Sequence, residues 1–154
     1  MGTKSLTRPA AAKLYDQDFV AWASETARLL RLGRLEELDI ENLAQEIHGM
    51  GDSSRHELRS RLRVLTMHLL KWGWQPGKRS GSWKATIVVQ RDEIDDLLTR
   101  SPSLRPAVRE FITTVYAVAV EEAAAETGLG ENFFPRDCPF SVEQILKRGF
   151  YPER

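Results

Sequence analysis

From Leu43 to Trp72 the apolar side chains hold one helical phase. Leu43, Ile47, Met50, Leu58, Leu62, Leu65, Leu69 and Trp72 recur at steps of three and four, with Ser54 in the one missing position. That spacing predicts a helix of about eight turns. Between residues 64 and 70 apolar groups (Val64, Leu65, Met67, Leu69, Leu70) point in nearly every direction, so this part of the helix is expected to be enclosed by others. Gly49-Met50-Gly51 interrupts the series. Two interior glycines cost about 1 kcal/mol each relative to alanine, and two collinear or kinked segments are expected in place of one unbroken rod.

The flanking sequence supplies the enclosing helices. Asp16 can cap a helix whose stripe is Phe19, Trp22, Ala23, Ala27 and Leu30, with Gly33 as its left-handed stop. Asp39 caps the long helix, with Glu41 in its first turn. The Trp72–Gly81 stretch, with three Gly and a Pro, is a loop. Ser80 or Ser82 then caps a helix with the stripe Trp83, Ile87, Gln90, Ile94, Leu97, ending before Ser101-Pro102. A long helix is expected from Ser103 to Gly128 with Pro106 in its first turn, followed by an irregular stretch. Ser141 and Gln144 form a capping box and Phe140 and Ile145 a staple for a last short helix stopped by Gly149. No strand pattern or internal repeat competes. The expected fold is all-α: a single-domain bundle of about four principal helices around a central helix, plus a short C-terminal helix, over residues 14–154, with residues 1–13 a loosely ordered leader.

The 154 residues carry 22 basic and 22 acidic side chains, so no whole-chain charge argues for a polyanion or membrane-surface partner. Locally the balance is uneven: residues 16–52 hold nine acids and three bases, while residues 55–91 hold nine bases and one acid. One cysteine, Cys138, leaves no intramolecular disulfide or paired-cysteine zinc motif, and with no signal-like or membrane-spanning apolar run the expected setting is cytoplasmic, with no membrane partner.

The basic block, Arg55, Arg59, Arg61, Arg63, Lys71, Lys78, Arg79, Lys84 and Arg91, is interleaved with Trp72, Trp74 and Trp83. Cations neutralise phosphates and rings stack on bases, so the block suits nucleic acid; it equally suits a rod whose charges are paired inside the bundle. Arg61 and His68, seven residues apart, share one edge of the long helix, and Gln90 interrupts the stripe of the next. Buried polar groups need partners, so Arg61, His68, Gln90 and Glu46 are expected to satisfy one another. Such a cluster either fixes helix register or binds an anion. The candidate binding residues are Arg61, His68, Lys71, Trp72, Arg79, Trp83, Gln90 and Arg91, and His68 is the acid/base if the chain is an enzyme. His48, His56 and His68 lack metal-ligand spacing, Gly77-Lys78-Arg79-Ser80-Gly81 is not a phosphate-cradling loop, and Cys138 reads as a packed hydrophobe. No metal, cofactor or catalytic set is implied, which leaves a non-enzymatic module with a protein partner, against a nucleic-acid-associated protein or a small enzyme acting on an anionic substrate.

Several strings carry a family likeness: Glu41-Asn42-Leu43-Ala44-Gln45-Glu46-Ile47, His68-Leu69-Leu70-Lys71-Trp72, Gln75-Pro76, Ser82-Trp83, Gln90-Arg91, Ser101-Pro102-Ser103-Leu104 and Cys138-Pro139-Phe140-Ser141-Val142-Glu143-Gln144-Ile145-Leu146. In this order, from about Leu14 to Pro152, the chain resembles the bacterial family catalogued as domain of unknown function 29. The resemblance implies a bacterial helical protein and no particular activity.

Overall fold

The computed structural model describes residues 10–153 and is all-α: six α-helices and several 3-10 turns, with no strand among the described residues. Two compact units divide between Asp52 and Ser53.

In the first unit α1 (Ala10–Gln17) packs against α2 (Phe19–Arg31). The leader expected over residues 1–13 lies outside the described residues through residue 9, and from Ala10 the backbone is helical. Asp18, not Asp16, caps α2: its carboxylate accepts the Ala21 amide at 2.9 Å while its own amide closes α1 on the Leu14 carbonyl at 2.8 Å. The buried positions of α2 are Trp22, Thr26 and Leu29, whereas Phe19 and Leu30 of the expected stripe are exposed. A helix of 13 residues has its inward face selected by the helix packed on it, and a one-position rotation is enough to move the stripe. Tyr15, Phe19 and Trp22 form a ring cluster, Tyr15 and Trp22 with centroids 4.9 Å apart. Gly33 takes the left-handed conformation (φ 69°) that stops α2.

Helix α3 runs from Ile40 to Trp74 without a break. Asp39 caps it, its side chain facing the amide and side chain of Asn42. The expected interruption at Gly49–Gly51 is absent. Enough good helix formers flank the two glycines for their cost to be absorbed, and cooperative propagation favours one long helix over a new nucleus at Asp52. The phase is carried through, but burial is not: Ile47 and Met50 are exposed, and the buried series starts at Leu58.

The second unit surrounds the remainder of α3 with α4 (Gly81–Arg100), α5 (Val108–Thr127) and α6 (Val142–Leu146). Ser80 caps α4 on the Trp83 amide at 3.2 Å. Its side of the core joins Ile87, Ile94 and Leu97 to Leu58, Leu62, Leu65 and Leu69 of α3 and to Ile112 and Ile145. A second cluster places Met67 and Leu70 against Tyr116, Ala119, Ala123 and Phe134. Different sides of α3 thus meet different sets of side chains, with α5 contributing to both, as an all-round apolar surface requires. The long helix expected from Ser103 starts at Val108; residues Pro102–Ala107 form a 3-10 turn. Pro102 and Pro106 both lack the amide donor, so α-type bonding sets in only after them. Gly128 (φ 73°) ends α5, and the Ser141–Gln144 capping box forms with reciprocal bonds of 3.1 and 2.9 Å, Ile145 fully buried beneath it.

A methyl group built on Gly49 or Gly51 would meet nothing within 4 Å. Gly49→Ala and Gly51→Ala should therefore each stabilise the chain, by up to about 1 kcal/mol. Thermal or urea unfolding checks this; a loss of stability would mean that the backbone there is not helical.

Candidate functional site

The residues singled out from the sequence fall near the connecting loop and along the middle of the α3–α4 hairpin and do not converge on one point. Near its middle, Arg61 donates to Glu57 of its own helix at 2.9 Å and pairs with Glu93 of α4 at 3.2 Å, and its Nη1 reaches Gln90 Oε1 at 3.5 Å. Arg61 and Gln90 are thus neighbours, as expected, but two carboxylates carry most of the charge. Glu46 is engaged elsewhere, accepting the Tyr15 hydroxyl at 2.5 Å.

His68 does not join them. Its imidazole is buried, with Nδ1 2.9 Å from the Val64 carbonyl one turn back, a contact that makes Nδ1 the protonated nitrogen. Burial drives its pKa below the ordinary 6.5; the Val64 bond and Glu126 pull it up, and Lys71 pushes it down. Two ring turns of helix separate it from Arg61 because positions seven apart share a face but stand about 10 Å apart along the axis.

Lys71 is 3% exposed. Its ammonium pairs with Glu126 of α5 and lies 4.4 Å from the centre of the Trp83 ring of α4, so one cation ties three helices. Gln75 adds a bond to the Thr127 carbonyl at 3.1 Å.

The 144–152 segment meets the hairpin from its connecting loop to Arg91. Arg91, 4% exposed, donates to the carbonyls of Ile145 at 2.8 Å and Gln144 at 3.3 Å. Those carbonyls are among the unpaired acceptors that a helix end leaves. Burial lowers the Arg91 pKa. Arg79 donates to the Trp72 carbonyl at 2.9 Å and to Pro152 at 3.4 Å, and its guanidinium faces the Trp72 ring. Trp72 packs on Tyr151 with centroids 4.9 Å apart, and Lys84 and Arg91 each lie 5.8 Å from the Tyr151 ring. Gly73 is tight against Pro152: an added methyl would come within 3.3 Å of its ring. Lys71, Trp72, Arg79, Trp83 and Arg91, read from the sequence as binding residues, are thus occupied by other parts of the chain. The role of Tyr151-Pro152 escaped the sequence reading.

A groove of about 390 Å³ that the sequence reading missed runs between α5 and the 136–142 segment. Arg109 and Arg136 flank it, Ile112, Tyr116 and Phe140 line its wall, and the Cys138 thiol, whose pKa burial raises, faces the Phe140 carbonyl at 3.6 Å. The Tyr116 hydroxyl donates to the Pro135 carbonyl at 2.8 Å, and burial, then Cys138 and Asp137, hold its pKa above the ordinary tyrosine range. Both groups stay protonated at neutral pH, so neither is an activated nucleophile. Among the described residues no three His, Cys, Asp or Glu side chains are grouped to hold a metal ion, and no helix is long and apolar enough to cross a membrane.

An all-α chain, built on one long central helix whose buried cations are neutralised by neighbouring helices, is the class that fold and side chains define. The family model for domain of unknown function DUF29 matches residues 14–151, and the chain belongs to that family. No curated protein and no solved structure matches the chain.

Two predictions follow from the buried ionisable groups. Glu126 is half exposed whereas Lys71 is almost fully buried, so the two halves of their pair are unequal. Glu126→Gln strands a buried ammonium and should cost about 2 kcal/mol or more, while Lys71→Met leaves a carboxylate that water can solvate and should cost about 1 kcal/mol or less. Urea unfolding of the two variants gives the comparison. For His68, whose folded pKa is depressed, the unfolded chain binds the proton that the folded chain refuses. The contribution is complete above the unfolded value of about 6.5 and is lost as pH falls from there toward the folded pKa. His68→Gln should flatten the stability–pH profile over that window; an unchanged slope would remove His68 from the account.

Proposed function

We propose that this chain is a non-enzymatic interaction module that docks, through its first unit, onto an apolar protein face rimmed by Lys and Arg. The observation that carries the reading is the distribution of exposed apolar side chains: eight of the twelve large ones among the described residues fall between Phe19 and Met50. Phe19 and Leu30 share one face of α2, three turns apart, and Ile40 and Ile47 share one face of α3, two turns apart. Leu32 and Leu35 are exposed between the two helices. Monomeric soluble surfaces seldom gather so many apolar groups without a use. Exposed acids such as Glu36 and Glu41 are set among them, and this charge selects a basic rim on the partner.

The nucleic-acid reading has weaker support. Arg61, Arg63, Lys71, Arg79, Lys84 and Arg91, six of the nine bases between residues 55 and 91, are engaged with carboxylates, carbonyls or rings of the same chain. The enzyme reading rests on His68, which is buried and uses Nδ1 on its own helix. We assign the Arg61–Gln90 and Lys71–Arg91 groups to architecture. A single half-buried thiol with a raised pKa suits a reducing, cytoplasmic setting, and a bacterial source accords with the family likeness.

The test is a labelled amphipathic helical peptide of Leu and Lys, titrated with the full chain by fluorescence anisotropy. Saturable binding is expected, weakening with salt and falling about tenfold or more in Leu35→Ser/Ile47→Ser at unchanged helix content. Equal binding by the double variant would overturn the reading. So would a dimer in sedimentation that the same substitutions dissolve, since the face would then be covered by a second copy.

A further inference from the structure

Arg55, Arg59 and Arg63 stand one turn apart along α3, an arrangement in which like charges at four-residue spacing repel. Among the described residues only Arg63 of the three meets an acid, Glu122 of α5, at 3.4 Å. Its Nε is buried with no hydrogen-bond partner. The chain thus leaves the charges of Arg55 and Arg59 uncompensated, whereas Arg61, on the opposite side of the helix, has two carboxylates.

The strip borders a cleft of about 300 Å³ between α3 and α5, at the lower end of the range for small-molecule sites. Into it face His56, Arg59, Ser60 and Arg63, whose spacing of three, four and seven residues places four nitrogen or hydroxyl groups on one helical surface. Opposite them α5 contributes Thr114, whose hydroxyl donates to the Glu110 carbonyl at 2.7 Å, and the apolar side chains of Val115 and Val118. Donors on one wall and two valines on the other define a ligand with an anionic head and an apolar body.

We propose that this cleft binds a small phosphate monoester: Arg59 and Arg63 hold the phosphate oxygens, Ser60 and His56 complete the head-group contacts, and the organic portion lies on Val115 and Val118. Two guanidiniums one turn apart suit a group with several acceptor oxygens and more than one negative charge. Binding removes the repulsion along the strip, so the ligand stabilises the folded chain by mass action. The inference does not rest on the docking reading, which concerns other residues.

The experiment titrates phenyl phosphate into the isotope-labelled full chain, with inorganic phosphate and sodium benzenesulfonate in parallel, following amide shifts and the thermal midpoint. Saturable shifts at Arg59, Ser60 and Thr114 are expected, tighter for phenyl phosphate than for inorganic phosphate. Arg59→Gln, an exposed position, should weaken the affinity about tenfold and reduce the thermal shift at a given ligand concentration; Ser60→Ala should weaken it less, and Lys78→Gln should not change it. The proposal is overturned by equal affinity in Arg59→Gln, by shifts confined to the Arg109–Arg136 groove, or by the absence of saturation. A single-stranded oligonucleotide that binds more tightly at equal phosphate concentration, with a steep salt dependence, would also overturn it in favour of nucleic acid.

Discussion

The enclosure of α3 between Leu58 and Lys71 is the constraint on which the second unit depends. Leu58, Leu62, Leu65, Leu69 and Leu70 are all fully buried, and a fully buried Leu contributes about 1.5–3 kcal/mol relative to an exposed one. From Leu65 to Lys71 every residue is buried and no face of the helix is left for water, so the ionisable groups there turn to protein. His68 turns to its own helix, and Lys71 reaches Glu126 and the Trp83 ring. The same requirement recruits Arg91 to the free carbonyls of α6. Burial of leucine thus dictates where the charges go, and the charges in turn fix which helices lie next to α3.

That logic was legible in the sequence up to the level of helices. The phase from Leu43 to Trp72, the Ser141–Gln144 box and the glycine stops at Gly33 and Gly128 correspond to observed features because each depends on neighbours within a few residues. The misplacements have one origin. Asp16 against Asp18, and the Phe19–Leu30 stripe against Trp22–Thr26–Leu29, are choices between alternatives of nearly equal local merit that packing decides. Gly49 and Gly51 were read by intrinsic propensity, whereas an established helix needs only propagation. At the polar cluster, Arg61 and Gln90 were paired correctly through the hairpin. His68 and Glu46 could not be placed, since periodicity gives the angle around an axis and says little about the distance along it.

Charge segregation reads differently once the partners are known. The central basic stretch is mostly internal cement: Glu93, Glu122 and Glu126 project from α4 and α5 onto Arg61, Arg63 and Lys71. What remains for the outside is a short arginine strip on one part of α3 and, in the first unit, acids set among exposed apolar groups. Neither surface could have been distinguished from composition, because composition counts a buried and a free arginine alike.

The contacts of Tyr151 and Pro152 bear on how the chain folds. Most bonds in a helical protein join near neighbours and form fast, but the Arg79–Pro152 and Arg91–Ile145 bonds join residues 73 and 54 positions apart. Closing such loops is entropically costly before the contacts reward it. The Trp72 ring and the Arg79 and Arg91 guanidiniums therefore gain these partners only when the 141–152 segment is in place on the hairpin. A copy of the second unit without that segment seated would carry a bare tryptophan and an unsatisfied Arg91, a sticky surface that exists only while the strap is off.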